Sequence, residues 1–289
     1  MEKFDVNILG CGSALPTTKH FLSSQVVNLR DKLYMIDCGE GTQLQFRRMK
    51  LSFSRLNHIF ISHLHGDHCF GLLGLVSTLN LLGRTATLYI HAQPDAETLF
   101  KPLLAYFCKE LSYDVVFQSF DPRKHQLIFE DRTVSVYTIP LKHRVPTAGF
   151  LFVEKPKSAH IIREMIDFYK IPISQINRIK AGEDFVTSEG DIVPNKILTR
   201  PATPPKRYAY CSDTAYKEEI IPIIKGVDLL YHEATFSQED IARARETWHS
   251  SAEQAAEIAK KAEVKQLIIG HFSARYVDET ILLNEAKEI

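Results

Sequence analysis

The 289-residue sequence predicts an α/β protein whose β-sheets are covered on the outside by helices. Three observations carry that expectation. Short apolar or alternating runs of strand length recur along the chain, segments with helical apolar spacing lie between and after them, and the strands cluster early instead of alternating one for one with helices. In order, strands are predicted over Phe4–Leu9, Gln25–Leu29, Leu33–Ile36, Leu56–Ser62, Thr87–His91, Val115–Ser119, Thr133–Ile139, Ala148–Glu154, Arg207–Cys211, Val227–His232 and Lys265–Gly270. Helical spacing predicts helices over Thr42–Lys50, Cys69–Leu82, Asp95–Phe107, His160–Tyr169, Ala215–Lys225, Ser250–Ala262 and Asp278–Ile289. The last pattern runs to the final residue, so further C-terminal residues are expected. No fixed-period repeat or low-complexity segment interrupts the series.

Composition excludes classes without choosing one. Hydrophobic residues at 45% and charged residues at 24% are globular values and exclude disorder. Thirty-five Lys and Arg against thirty-five Asp and Glu leave no net charge, so an anionic partner must be held by a local patch. The start Met1-Glu2-Lys3-Phe4-Asp5 lacks a signal-peptide pattern, and the apolar stretch from Cys69 to Gly83 falls short of the ~20 residues a bilayer span needs. The five cysteines, Cys11, Cys38, Cys69, Cys108 and Cys211, form no Cys-x-x-Cys pair. They are expected to be free thiols in a reducing compartment. A soluble, cytoplasmic protein is therefore expected, with no membrane partner.

Residues 155–207 read differently. The segment is punctuated by Pro156, Pro172, Pro194, Pro201, Pro204 and Pro205, and it carries ten basic against six acidic residues. From Tyr208 onward the balance reverses, with nine basic and fifteen acidic residues. The expectation is one domain over residues 1–289 with a basic insertion at 155–207 inside it.

The chemistry concentrates in His63-Leu64-His65-Gly66-Asp67-His68, which ends a strand and opens an apolar helix. Side chains two apart in extended backbone share a side, so His63 and His65 can face one metal. Gly66 lets the chain turn, and Asp67 and His68 can then face a second metal. A chance match to the four fixed positions is about one in a thousand for a chain of this composition. Two cations need more ligands, and isolated candidates stand where later predicted strands give way to loops: His143, Asp213 and His271. His63, His65 and His143 make one set and Asp67, His68 and His271 the other, with Asp213 bridging. Two Zn²⁺ ions held so would lower the pKa of a water between them toward neutrality. Manganese or iron would accept the same donors, with zinc preferred.

From Ile8-Leu9-Gly10 through Ile36-Asp37-Cys38-Gly39 to His271, the motifs resemble the metallo-β-lactamase superfamily, and within it the ribonuclease Z family of tRNA 3′-processing endonucleases. Four segments carry the second likeness: Asp37-Cys38-Gly39-Glu40-Gly41-Thr42-Gln43, Cys211-Ser212-Asp213-Thr214, His232-Glu233-Ala234-Thr235 and Trp248-His249-Ser250-Ser251. The resemblance implies an αββα four-layer sandwich, two sheets flanked by helices, with an inserted arm. It implies that Asp37 braces the metal site, that Asp67 orients the nucleophilic water, and that His249, polarised by Glu233, hands a proton to the departing ribose oxygen. It further implies precursor tRNA as substrate, cleavage leaving a 3′-hydroxyl for CCA addition, and a homodimer in which each arm serves the partner's site. Two family signatures depart here: no Gly-Pro follows Ile171-Pro172, and the first loop reads Pro16-Thr17-Thr18-Lys19-His20-Phe21. Lys19, Lys206 and Arg207 are the candidate phosphate contacts.

The alternative on the same metal ligands is a glyoxalase II-like thioester hydrolase. The long spacing between His143 and Asp213 argues against it, as does the His249 motif, because a thiol departs without an acid. A β-lactamase does not suit a bridging Asp213, and a metal-free binding module does not suit a complete ligand set. His58, His91, His125 and His160 lack partners at ligand spacing and are assigned no role.

Overall fold

The computed structural model describes residues 4–289, which divide into two compact units, one comprising the chain up to Val153 together with Lys206–Ile289, the other Glu154–Pro205. The larger unit is built on two six-stranded sheets. In the first, β1 (Phe4–Gly10), β2 (Ser24–Leu29), β3 (Lys32–Ile36), β4 (Leu56–Phe60), β5 (Leu88–Ala92) and β6 (Val115–Ser119) lie side by side in chain order. The second holds β7 (Leu127–Glu130), β8 (Val134–Pro140), β9 (Ala148–Glu154), β10 (Arg207–Cys211), β11 (Leu229–Glu233) and β12 (Leu267–Gly270), again as sequence neighbours. Strands β3 to β6 are mutually parallel, as are β10 to β12. Parallel strands bring their C-terminal ends to one edge, and the loops leaving that edge carry the chemistry.

Alternation along the strands sets the layers. Val26 pairs with Met35, and both enter an apolar cluster with Leu72, Leu75 and Phe100 of the helices Gly71–Leu81 and Asp95–Phe107. Their neighbours Val27 and Tyr34 also pair, and point the other way into a cluster with Phe150, Phe152 and Tyr208 of the second sheet. The opposite face of that sheet, including Ala209 and Leu230, packs on Ile224 and Ile258 from the helices Ile221–Ile224 and Ala252–Lys261. The order is helix, sheet, sheet, helix, the predicted αββα sandwich. Helix Ala252–Lys261 starts on a capping box between Ser251 and Gln254, which satisfies two otherwise unpaired amides.

Several elements depart from expectation. The predicted helix at Ala215–Lys225 is reduced to the short turns Glu218–Ile220 and Ile221–Ile224, because Pro222 has no N–H to give and is tolerated only in a first turn. The predicted helix at His160–Tyr169 begins instead at Arg163, after a short strand at His160–Ile161. Strand β7 was not predicted: four residues of a half-exposed edge give too short a pattern. Helix Ile241–Thr247 was also unforeseen, since only Ala244 of it is buried and no apolar stripe exists to read.

The Glu154–Pro205 unit nearly coincides with the insertion expected at 155–207 and has a fold of its own. Helices Arg163–Phe168, Ile173–Lys180 and Asn195–Leu198 and two short antiparallel strand pairs enclose their own apolar cluster of Ile171, Ile179, Phe185, Val193 and Leu198. No helix among the described residues is long and apolar enough to cross a membrane.

Two histidines without an assigned role meet between the sheets. His58 Nδ1 lies 3.1 Å from His91 Nε2, and the pair is stacked among Phe60, Tyr89 and Phe129. Burial lowers His58 to about 4 and His91, which also feels His58, to about 3, against an ordinary value of 6.5. An unfolded chain therefore takes up protons near pH 6.5 that the folded chain refuses until the pH is lower still, and stability is lost as pH falls through that window. Between pH 7 and pH 5 the pair should remove on the order of 3 kcal/mol. Urea titrations of His58→Phe/His91→Phe beside the parent should show a correspondingly flatter acid limb. Equal slopes would refute the account.

Candidate metal centre

The site is assembled from loops at one edge of both sheets. After β4, Ile61 extends the ladder to the His91 carbonyl at 2.8 Å, His63 and His65 follow, and His65 caps the short helix Gly66–Cys69. Asp67 lies in the first turn of that helix, where the peptide dipoles favour an anion. The loop after β3 is stitched to it by Cys38 N–H to the His68 carbonyl and Gly71 N–H to the Cys38 carbonyl, each 2.8 Å. That crossing requires glycine, since a Cβ on Gly71 would stand 2.1 Å from the Gly39 carbonyl oxygen. From the second sheet, His143 follows β8, Asp213 follows β10, and His271 follows β12.

All seven predicted ligands converge. Donor atoms of His63, His65, His143 and Asp213 lie within 4.8 Å of one another, as do those of Asp67, His68 and His271. Asp213 stands between the groups: Oδ2 is 3.6 Å from His63 Nε2 and 3.8 Å from His143 Nε2, while Oδ1 is 3.2 Å from both His68 Nε2 and His271 Nε2. One carboxylate thus turns an oxygen to each set, as a bridging ligand does. Asp67 Oδ2 lies 3.4 Å from His271 Nε2 and accepts the Ala14 N–H at 2.8 Å.

The donor chemistry fits cations. His143 Nδ1 donates to the Trp248 carbonyl at 2.9 Å, which leaves the lone pair on Nε2, and that buried atom has no hydrogen-bond partner. A buried polar atom aimed into a cluster of donors and left unpaired is costly unless something binds it. Burial lowers the pKa values of His63, His65 and His143, which keeps their imidazoles neutral and their lone pairs available. Burial opposes ionisation of Asp213, but the neighbouring His271 and His68 outweigh it and hold the carboxyl well below its ordinary range.

Partners behind the ligands fix their rotation. Asp37, fully buried with φ 56°, accepts His68 Nδ1 at 2.8 Å, Tyr210 Oη at 2.7 Å, and the Ser62 N–H and hydroxyl at 2.7 and 2.9 Å. His271 Nδ1 donates to the Thr235 hydroxyl at 2.9 Å, which donates to Glu233 Oε2 at 2.6 Å. The other Glu233 oxygen takes Thr214 N–H and His249 Nδ1, both at 2.8 Å. Burial disfavours a charged His249, but Glu233 outweighs it and raises the pKa to about 9. With Nδ1 engaged, Nε2 is the atom left for the cleft of about 470 Å³ that His249 lines with His65, Asp67, Asp213 and His271.

The three candidate phosphate contacts are not brought to this cleft. Lys19 Nζ is ion-paired to Glu279 and donates to the Val277 carbonyl at 3.1 Å. Arg207 opens β10, at the far end of the strand from Asp213 and roughly 20 Å away at ~3.3 Å per residue. Its guanidinium donates to the Lys225 and Ile223 carbonyls at 2.9 and 3.2 Å, and Lys206 lines the same remote groove. Short-range sequence context held no sign of these contacts. The cation found at the cleft is Arg144, next to His143, while Lys142 on the other side of His143 lines a neighbouring cleft; neither was singled out in the sequence.

Comparison with known proteins places this geometry. A model for the anti-Pycsar protein Apyc1 matches residues 4–155, and a model for the beta-lactamase superfamily domain matches residues 198–272. The stretch between the two matches falls within the smaller unit. A protein of Bacteroides thetaiotaomicron named ribonuclease Z is 65% identical over all of this chain and 92% of its own length. The chain belongs to the ribonuclease Z family. A ribonuclease Z of Parabacteroides distasonis is likewise 65% identical, across 100% of this chain and 95% of that one. Among solved structures, human tRNase Z, short form, superposes with a TM-score of 0.71 at 25% identity over 93% of each chain. The metallo-β-lactamase fold protein YhfI of Bacillus subtilis, at 17% identity and a TM-score of 0.67 over 98% of this chain and 91% of its own, shares the fold. Membership in the ribonuclease Z family leaves the thioesterase alternative without support.

Proposed function

We propose that the chain is a dinuclear zinc phosphodiesterase that removes the 3′ trailer from precursor tRNA in the cytoplasm, leaving a 3′-hydroxyl. The observation that carries the reading is the pair Asp213 and His249: a carboxylate that turns one oxygen to each ligand set, and beside it an imidazole whose free nitrogen lines the same cleft. His63, His65, His143 and Asp213 would hold one cation, and Asp67, His68, His271 and Asp213 the other. Cations so held neutralise charge on a scissile phosphate and acidify water. Asp67, fixed by the Ala14 amide, orients the attacking water. His249 holds a proton on Nε2 for the departing ribose oxygen, and Glu233 keeps its ring turned and charged. Asp37 acts through His68, whose ring it locks in place. The basic insertion at 155–207 contacts the body of the tRNA, as recognition of structured RNA by shape and phosphates requires. The working form is a homodimer.

The test pairs two substrates on one zinc-loaded preparation, a 3′-extended precursor tRNA and a lactoylated thiol ester. Cleavage just after the acceptor stem with the thioester untouched is expected, with two zinc ions per chain by elemental analysis. Thioester turnover beside intact RNA would overturn the reading.

A further inference from the structure

Next to the metal cleft lies a second one, of about 480 Å³, and His249 lines both. Its other walls include Lys142, Arg245 and Trp248, the single tryptophan of the chain. Trp248 follows the helix Ile241–Thr247 in left-handed backbone, φ 63° and ψ 48°. That position after a helix is ordinarily glycine's, and a bulky side chain there is strained. The backbone task at this position, offering a carbonyl to His143, needs no indole. The ring is nonetheless present and 41% exposed, with Lys142 Nζ 6.0 Å from its centroid.

Some of the surface cations are paired with a carboxylate and others are not. Lys32, Lys101, Lys261, Lys265, Arg243 and Arg275 are each neutralised by a carboxylate within 3.1 Å. Lys142, Arg144 and Arg245 are among the described cations that have no such partner. Unpaired cations around an exposed indole are what an unstacked nucleotide requires: a π-face for the base and positive charge for the phosphates on either side.

Chain polarity follows from the chemistry and rests on the function proposed above. Cleavage that leaves a 3′-hydroxyl makes the 3′ oxygen of the upstream nucleotide the departing atom, and His249 Nε2 faces that oxygen. The upstream nucleotide is therefore on the His249 side of the cleaved phosphate, and the surface reached beyond His249 is the Trp248 cleft. We infer that Trp248 is the stacking platform for the nucleotide immediately 5′ of the cleaved bond, with Lys142 and Arg245 on its flanking phosphates. Trp248 thereby positions the end of the tRNA and sets the cleavage position.

Trp248→Gly tests this without threatening the fold, since glycine relieves the backbone and keeps the carbonyl that holds His143. KM for precursor tRNA should rise about 5- to 100-fold, the range of one base stacked on one aromatic ring, with a smaller change in kcat. The loss on precursor should exceed that on bis(p-nitrophenyl) phosphate at least several-fold, and Trp248→Phe should recover part of it. An abasic site at the upstream nucleotide should cost the parent as much as the substitution does, and cost Trp248→Gly little more. Tryptophan emission should quench when the parent is titrated with product tRNA ending at that nucleotide. If the parent cleaves precursor correctly but emission is unmoved and Trp248→Gly loses equally on both substrates, the stacking site is refuted while the endonuclease stands. A parent that leaves precursor intact removes the basis of both.

Discussion

Replacing Asp213 with alanine should lower precursor cleavage by about a thousandfold or more and reduce the metal bound per chain relative to the parent. The reason is geometric. Among the described residues Asp213 is the one side chain with an oxygen toward each ligand set, at 3.2 Å from His68 and His271 and 3.6 Å from His63. It is also the negative charge on which a cluster of imidazoles converges. Asp213→Asn keeps the volume and removes the charge, and should behave nearly as badly, which would assign the loss to charge and not to a cavity. Elemental analysis with single-turnover cleavage checks both statements. A near-normal rate in either variant would overturn the bridging assignment.

His249→Ala should show a loss that depends on the leaving group. A ribose alkoxide departs poorly without a proton, so cleavage of precursor tRNA should fall by about 10²- to 10⁴-fold. p-Nitrophenolate departs unaided, and turnover of bis(p-nitrophenyl) phosphate should fall by no more than about tenfold. Glu233→Gln should reproduce a weaker version of the same split, because Gln keeps hydrogen bonds to the Thr214 amide and His249 but removes the charge that favours the imidazolium. Losses of equal size on the two substrates would show that His249 shapes the site instead of supplying a proton.

Much of this centre was legible in the sequence because its parts obey local rules. His63 and His65 are two apart, Gly66 turns the chain, and Asp67 opens a helix, so the ligand hexapeptide is fixed within one short segment. His143, Asp213 and His271 were legible because each ends a strand whose apolar pattern is clear, and parallel strands deliver such ends to one edge. Elements failed where the pattern was short or interrupted: the edge strand Leu127–Glu130, the helix Ile241–Thr247 with its single buried Ala244, and the stretch around Pro222.

The surroundings of the candidate phosphate contacts were not legible, and the reason is long-range. Lys19, Lys206 and Arg207 were chosen by charge and by nearness to motifs. Glu279, which holds Lys19, lies 260 residues away in the chain. Arg207 is consumed by the carbonyls of Ile223 and Lys225. Trp248, by contrast, sat inside a recognised motif with nothing to mark its side chain until the backbone showed it in left-handed geometry.

By itself the sequence pointed to the α/β class and to the seven His and Asp side chains that the fold gathers at one edge, because strand periodicity, the hexapeptide spacing and the strand ends are properties of neighbouring residues. Only the tertiary structure decided which cations remain unpaired and that residues 154–205 fold on a core of their own. It alone also showed that the cleft beyond His249 is walled by Trp248. Each of these depends on which distant side chain arrives to neutralise or cover another, and no local pattern encodes that.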